Sequence, residues 1–327
     1  GVVCSTSVRM LVGADAALEF ESLSDTRVRI RRVTGPSAAT PTSASSVDHG
    51  VERAASWITT RVARPLVGRV AELNAAAEAI ERAQTADQAS LLVVVGDAGM
   101  GKTRFLAELA NRATAAGDVV LVGRCTEMGG AFEPFLDALG DGFFEFDSGQ
   151  LERDEEGWVD RRRFFGRIAS ALSAISRPVT LVIDDMQWID GSSLALLTQL
   201  LDDVGASLTV AAGTRPVQET TGLDELTLRH ASATLSIGPL TTADIAAMAH
   251  ERGLDLDGDT IDGLHALTGG SPFFGLQLLG HLGDARTGQL DAEHLPAGVR
   301  EWVLQRVDRL GSDARETLAP AAVVGRD

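Results

Sequence analysis

The sequence predicts an α/β protein with a parallel sheet flanked by helices and followed by an all-helical lid. A run of branched apolar residues, SLLVVV at 90–95, leads through a glycine-rich stretch into apolar residues at helical spacing. From about 61 to 240, apolar strands alternate with amphipathic helices, which is typical of a parallel sheet covered on both faces. After 240 the strands stop, and helices with capping starts such as TTAD follow.

Four regions divide the 327 residues, a length that suits about two domains. Residues 1–34 end in two segments that alternate at period two and predict strands. Residues 35–60 open with proline, serine, alanine and threonine, and we expect a flexible linker. Residues 61–240 are the predicted α/β core, and 241–327 include the predicted helical lid. Because the sequence starts with glycine, we expect a fragment or a processed product of a longer protein.

Composition argues against several functional classes. No apolar stretch approaches the roughly 18–20 residues of a membrane helix, and no secretory signal pattern is present, so we expect a cytoplasmic protein without membrane contact. Cys4 and Cys125 lie too far apart in sequence to indicate a disulfide framework or a thiolate metal site. The formal net charge of −17 disfavours nucleic-acid binding. The basic cluster Arg161–Arg163 adjoins ERDEEG and is interpreted as a solvated helix end.

The strongest motif is GDAGMGKT, which matches G-x-x-x-x-G-K-[ST], the phosphate-binding loop of P-loop NTPases. Its glycines let the backbone approach a ligand closely, so that successive N–H groups and a helix N-terminus face an anion. The alternative is a glycine-rich turn without a ligand, but the flanking strand and helix favour ATP. The candidate nucleotide-binding residues are Gly96, Asp97, Ala98, Gly99, Met100, Gly101, Lys102 and Thr103.

Two of these residues have special chemistry. Lys102 is the only lysine among 29 basic residues. Its compact ammonium on a flexible stem suits the β and γ phosphates, whereas a planar guanidinium is wider and more rigid. We therefore expect Lys102 to act in catalysis as well as in binding. The hydroxyl of Thr103 is predicted to bind Mg²⁺.

Paired carboxylates follow the apolar strand in RPVTLVIDDMQWIDGSS, residues 177–193. The carboxyl end of a strand lies at the sheet edge where the phosphate loop is also expected. Asp184 is predicted to bind Mg²⁺, directly or through water, and Asp185 to orient or deprotonate the attacking water. The alternative is an exposed pair that caps the following helix.

A third strand, SLTVAAGTRP at 207–216, also ends in polar residues. Arg215 at its tip is a candidate sensor of the γ-phosphate. A purely structural role for Arg215 is equally compatible with the pattern.

These segments resemble the STAND-class signalling ATPases, relatives of AAA-type proteins that occur in large LuxR-type bacterial transcription regulators and in cyclase-linked regulators. The resemblance covers roughly residues 63–327 and rests on PLVGRVAEL, GDAGMGKT, VTLVIDDMQWID, GTRP, LTGGSPFFGLQLLGHL and the run from LPAGVREW onward. That last run is similar to the lid and the start of a winged-helix region.

The resemblance implies roles that the residues alone do not establish. By it, Gly68 and Arg69 lie near the nucleotide, Pro272 contacts the adenine, and Arg215 is the sensor. From the residues alone, GGSP is simply a turn before a helix, with proline preset at the first turn.

Residues 1–34 resemble the last strands of a class III nucleotide cyclase domain. The metal-binding and transition-state residues of that family lie upstream of such strands, so no cyclase activity is expected from this chain. The resemblance implies a parent protein with a cyclase-like domain, a linker, the ATPase and an output domain beyond Asp327.

Two functions compete. In the first, ATP binding and slow Mg²⁺-dependent hydrolysis change the angle between core and lid, which licenses self-association or releases an intramolecular output domain. In the second, the chain is an AAA-type turnover ATPase that acts on a macromolecule as an oligomeric ring. A ring motor needs an arginine finger that no residue here clearly supplies, and the resemblance favours the switch, with ATP and ADP as its ligands. A small-molecule kinase is a distant third, because no segment indicates a pocket for an acceptor.

Overall fold

The protein is described by a computed structural model that covers residues 2–5, 18–24, 27–32, 43–139, 161–216 and 222–285. It divides into two compact units, Gly1–Ser45 and Ser46–Asp327. The first unit contains an antiparallel sheet in the order β1-β3-β2, with strands β1 (Val2–Ser5), β2 (Leu18–Ser24) and β3 (Arg27–Arg32). Strands β2 and β3 fall on the two segments that alternate at period two.

The second unit contains a parallel sheet of five strands in the order β5-β6-β7-β4-β8. This sheet, with helices on its faces, confirms the predicted fold class, that of a P-loop NTPase. Because all strands run in one direction, their carboxyl ends meet at one edge. The strands are β4 (Ser90–Val95), β5 (Val119–Arg124), β6 (Val179–Asp184), β7 (Leu208–Thr214) and β8 (Ala231–Ser236).

Helices cover both faces of this sheet and explain its nearly continuous apolar strands. Alternate residues of β4 face opposite cores, with Leu91 and Val93 on one side and Leu92 and Val94 on the other. The first core is completed by α4 (Glu133–Leu139), α5 (Arg161–Ser173), α6 (Gly191–Asp203) and α7 (Leu223–His230), and the second by α1 (Ser43–Val62), α2 (Val70–Thr85) and α3 (Lys102–Ala116).

The lid has a small core of its own. The predicted capping start TTAD is confirmed, because Thr241 and Asp244 form a reciprocal capping box at the first helix. The lid helices are α8 (Thr242–His250), α9 (Gly258–Thr268) and α10 (Pro272–Ala285). Residues 286–327, which include the segment similar to a winged-helix region, lie outside the described residues. Within the described part of the chain, no helix combines the length and apolarity needed to cross a membrane.

The prediction of a flexible linker over 35–60 is wrong for residues 43–60, which are helical and form most of α1. Val51, Ala54 and Ile58 recur at helical spacing, and Ala54 and Ile58 are only 1% and 5% exposed in the core shared with α2 and α3. The serine- and threonine-rich opening concealed this spacing. Tertiary burial stabilises a helix more than local composition does. Residues 35–42 lie outside the described residues.

Candidate functional site

The loop from Gly96 to Gly101 joins β4 to the first residue of α3. Gly99 and Gly101 have φ values of 83° and 91°, in the left-handed region that favours glycine. The turn at Gly101 allows α3 to begin at Lys102. The strand, the glycine-rich loop and the helix N-terminus are therefore arranged as an anion-binding site.

A cavity of about 580 Å³ opens above this loop. The loop residues Ala98–Thr103 form its floor, together with Asp185 and Arg215. Gly96, Asp97 and Asp184 are not among its lining residues, but each accepts a hydrogen bond from a residue that is. Its other walls come from the segment before α2 and from the lid, including Thr60, Arg61, Leu66, Val67, Arg69, Met248, Pro272, Phe273 and Leu276.

Lys102 lies within the loop and is only 7% exposed. Its Nζ donates hydrogen bonds to the carbonyl oxygens of Gly96, at 2.7 Å, and Asp97, at 3.0 Å. Burial lowers the pKa of Lys102, and the positive charge of Arg215 lowers it further, whereas Asp185 and Asp184 oppose the shift. The ammonium is thus held at the centre of the loop, where bound phosphates would replace carbonyl partners.

Asp184 and Thr103 meet at the base of the cavity. The Thr103 hydroxyl donates a 2.8 Å hydrogen bond to Oδ2 of Asp184, which is 5% exposed. Burial raises the pKa of Asp184, and the Thr103 hydrogen bond opposes the shift. Gly213 on β7 leaves the room for this arrangement, since a Cβ there would lie 2.8 Å from Leu106 and 3.1 Å from Asp184.

Asp185 has a different environment from its neighbour. Arg124, at the end of β5, donates to Oδ2 of Asp185 from Nη2 at 2.8 Å and from Nε at 3.1 Å. Gln187 donates to the other oxygen, Oδ1, at 2.9 Å. Burial alone would raise the pKa of Asp185, but the hydrogen bonds from Gln187 and Arg124 lower it overall. This carboxylate is therefore ionised and occupied on both oxygens.

The alternative role of Asp184 and Asp185 was to cap the following helix, but a different residue caps it. Asp190 accepts hydrogen bonds from the backbone N–H groups of Ser192 and Ser193 and caps α6. Asp184 and Asp185 lie before this cap and face the phosphate loop instead.

Arg215 lines the cavity beside Asp185 and Lys102. Its backbone N–H donates to Oε1 of Gln187 at 3.1 Å, so Gln187 bridges Asp185 and the end of β7. The position of Arg215 suits an interaction with a bound phosphate. Its role as a sensor remains a prediction.

The resemblance predicts that Gly68, Arg69 and Pro272 lie at the nucleotide, and the three residues have different surroundings. Arg69 lines the cavity but is 6% exposed, and its guanidinium donates to the Gly238 carbonyl and pairs with Glu72 at 3.3 Å. Gly68 has φ 69°, and a side chain there would collide with the Asp244 carboxylate. Pro272 opens α10 and lines the cavity. Arg69 and Gly68 thus connect the segment before α2 to β8 and the lid.

Sequence reasoning missed Arg124, Gln187 and the end of α1. Arg124 is aligned with Asp184 across the β5–β6 pair, a placement that depends on strand order. The polar end of β5, VLVGR, was the available signal, because polar residues at strand ends share one edge of a parallel sheet.

The described residues contain no group of three or more His, Cys, Asp or Glu side chains that could together hold a metal ion. They therefore do not indicate a metal site built from protein side chains alone. Thr103 and Asp184 offer two hard oxygen ligands. That set fits Mg²⁺, which is usually held by one or two protein oxygens together with phosphates and water.

Comparisons with known proteins find similarity to ATPases. Residues 65–211 match the family model described as AAA ATPase domain. An uncharacterized protein of Rhizobium meliloti (strain 1021) is 25% identical, in a match that covers 81% of this chain and 30% of that protein. The chain therefore spans less than a third of the length of this curated relative.

Solved structures match the chain at low sequence identity and with TM-scores below 0.5. The Orc1 protein of Aeropyrum pernix in complex with DNA is 18% identical, with a TM-score of 0.48, and the match covers 78% of this chain and 72% of that one. AMPPCP-bound DnaA from Aquifex aeolicus is 16% identical, with a TM-score of 0.48 and coverages of 74% and 68%. At these identities, no substrate or partner is carried over.

Proposed function

We propose that this chain is an ATP-binding regulatory switch that hydrolyses ATP slowly. The observation that carries the proposal is the environment of Asp185. The residue best placed to act on water has both carboxylate oxygens engaged, by Arg124 and Gln187. A general base with a lowered pKa, both of whose oxygens already accept hydrogen bonds, accepts a proton poorly. Such a site suits prolonged ATP occupancy better than rapid turnover.

Nucleotide binding is supported by the loop and the residues beneath it. The backbone N–H groups of the loop and the Lys102 ammonium would bind the phosphates, and Thr103 and Asp184 would hold Mg²⁺. When bound, Mg²⁺ neutralises charge on the β and γ phosphates. Arg215 is positioned to contact the terminal phosphate. The adenine would lie on the apolar side of the cavity, against Pro272 and its neighbours.

A switch also requires a connection between the phosphate site and a part that moves. The Gly99 carbonyl in the phosphate loop accepts hydrogen bonds from the Ser271 hydroxyl, at 3.2 Å, and from the Phe273 N–H, at 3.3 Å. Both donors lie at the start of lid helix α10. A rearrangement of the loop on nucleotide binding would therefore change the contacts that dock the lid.

The resemblance to STAND-class regulators supplies the biological context of the proposal. In that context the output is self-association or the release of another domain of the same protein. Under this hypothesis the parent protein is a cyclase-linked or a LuxR-type regulator. Because the chain described here is strongly acidic, DNA binding would require other segments.

Steady-state ATP turnover, measured together with oligomer size with and without nucleotide, tests the proposal. We expect the wild type to bind MgATP and to turn over below about 1 s⁻¹, the lower end for typical enzymes. Asp185→Asn should retain ATP and lose hydrolysis, because its amide cannot accept the proton. Arg124→Gln should raise turnover, because it frees the carboxylate.

Rapid turnover by a nucleotide-dependent ring would instead support the AAA-type motor. Equal hydrolysis by wild type and Asp185→Asn would show that another residue handles the water.

A further inference from the structure

Arg61, on the last turn of α1, lines the candidate nucleotide cavity although α1 precedes the ATPase motifs. It lines the same cavity as Lys102 and Thr103. Helix α1 ends one residue later, at Val62, and the chain then passes along the cavity towards α2. Arg61 is therefore the penultimate residue of the helix, next to the segment that lines the cavity.

Contacts elsewhere along α1 hold Arg61 in place. Ala54 and Ile58 are buried in the core beneath the sheet. Arg53 Nη2 donates to the Asp137 carbonyl at 2.6 Å, and Gly50 approaches the Ala138 carbonyl too closely for a side chain. These contacts fix the helix against α4 over several turns.

The guanidinium of Arg61 is itself oriented by its own helix. Its Cζ lies 4.6 Å from the ring centroid of Trp57, a cation–π geometry. Its Nη1 donates to the Trp57 carbonyl at 3.1 Å. One edge of the planar group is thus held, in a residue that lines the cavity.

Charges of both signs act on the guanidinium of Arg61. The charged groups that act on it are Asp184, which favours its positive charge, and Arg124, which disfavours it. Burial lowers the pKa of Arg61, but a guanidinium stays protonated at physiological pH. Among the described residues no carboxylate forms an ion pair with Arg61. A held, partly buried cation without an acidic partner suits an anionic ligand.

We infer that Arg61 binds the γ-phosphate of ATP from within the same chain and thereby distinguishes ATP from ADP. This inference rests on the proposed function, because it assigns one more contact to the same nucleotide. Asp184 and Thr103 mark the position expected for the β and γ phosphates, and Arg61 lines the same cavity as Thr103. A charge-assisted contact made only with the third phosphate stabilises the triphosphate complex selectively.

The contact would also make the position of α1 depend on the nucleotide. With ATP, Arg61 would join α1 to the terminal phosphate, and with ADP it would retain only the Trp57 contacts. Helix α1 is then a second element, besides the lid, that responds to the γ-phosphate.

Calorimetric titrations with AMPPNP and with ADP, both with Mg²⁺, test the inference on the full chain. We expect Arg61→Gln to weaken AMPPNP binding about tenfold or more, the loss typical of a charge-assisted contact, and to leave ADP affinity unchanged. The matched control is Arg82→Gln, which removes an exposed arginine of α2 that does not line the cavity. It should leave the AMPPNP-to-ADP affinity ratio unchanged.

The outcomes separate the two ideas. If the wild type binds neither nucleotide, the proposed function fails and the inference fails with it. If the wild type binds both and Arg61→Gln has the wild-type ratio, or loses both nucleotides equally, only the inference is overturned. Should Arg61→Gln not fold, Arg61→Lys keeps the charge but not the planar fork, and a selective loss of AMPPNP affinity is again expected. An unchanged ratio in Arg61→Lys would then overturn the inference.

Discussion

The cavity has two walls that are built by different means. The core wall consists of Ala98–Thr103 with Asp185 and Arg215, and its groups are fixed by backbone turns and strand ends. The lid wall consists of Met248, Pro272, Phe273 and Leu276, whose side chains come from short helices with a small separate core. In the proposed nucleotide site, the sheet edge would recognise the charged phosphates. The lid would supply mainly apolar contacts, beside the charged residues Glu251 and Arg252.

Two neighbouring carboxylates, Asp184 and Asp185, also differ in their surroundings. Burial raises the pKa of Asp184, which lies beneath the loop, while Gln187 and Arg124 lower the pKa of Asp185 at the cavity surface despite its partial burial. A carboxylate that is costly to ionise gains most from a metal ion, and one that is already compensated does not. Adjacent positions in one strand end thus suit different roles.

The largest effect should come from removing the charge at the centre of the core wall. Lys102→Ala is expected to weaken MgATP binding about ten- to a hundredfold, roughly 1.5–3 kcal/mol, because a charge-assisted contact is lost. Lys102→Arg should restore little, since a guanidinium does not fit within the loop. Calorimetry measures both variants. Equal ATP affinity in wild type and Lys102→Ala would show that the core wall does not bind the phosphates.

A smaller effect is expected from Asp184→Asn, which should raise the free energy of unfolding but weaken Mg²⁺-dependent ATP binding. A carboxyl whose folded pKa is raised binds more protons folded than unfolded, so its contribution to stability is greatest at acidic pH and falls as pH rises through the folded pKa. Asp184→Asn keeps an acceptor for Thr103 and removes the buried charge. We expect a gain of the order of 1 kcal/mol in unfolding free energy at neutral pH.

The same variant should weaken Mg²⁺-dependent ATP binding. Thermal unfolding between about pH 4 and 8 measures the stability difference, which should shrink towards the acid end as the wild-type carboxyl is protonated. A difference that is constant with pH would mean that the charge of Asp184 is not its cause.

The smallest effect should come from removing a hydrogen bond that joins the lid wall to the core wall. Ser271→Ala removes one of the two hydrogen bonds to the Gly99 carbonyl, a loss of about 0.5–1.5 kcal/mol. We expect faster amide exchange at the start of α10 and only a modest change in ATP affinity. The exposed Ser170→Ala on α5 is the control. Unchanged exchange in α10 would show that the lid is docked by its apolar contacts alone.

Parts of the site could be predicted from the sequence because their geometry is local. The loop from Gly96 to Thr103 follows a strand and precedes a helix, so eight consecutive residues carry the pattern. The polar end of β6 was equally visible, since an apolar run that stops at two carboxylates is unusual. Their direct contact, from Thr103 to Asp184, required only that both strands end at one sheet edge.

Other parts depended on neighbours that are distant in sequence. The bond from Arg124 to Asp185 exists because β5 lies beside β6, across 61 residues of chain. Arg69 was placed near the nucleotide by resemblance and stays a prediction there; it lines the cavity, but its guanidinium contacts Gly238 and Glu72. Helix α1 was mistaken for a linker because the burial of Ala54 and Ile58 is a tertiary property.

The sequence by itself determined the fold class, the phosphate loop and the candidate metal-binding carboxylate, because strand and helix periodicity and a short glycine motif are local. Only the tertiary structure decided which side chains control those groups. It paired Arg124 and Gln187 with Asp185, joined Gly99 to the lid and brought Arg61 from α1 into the cavity. The physical reason is that a charge acts on whatever lies within a few ångströms, and the order of strands sets those distances.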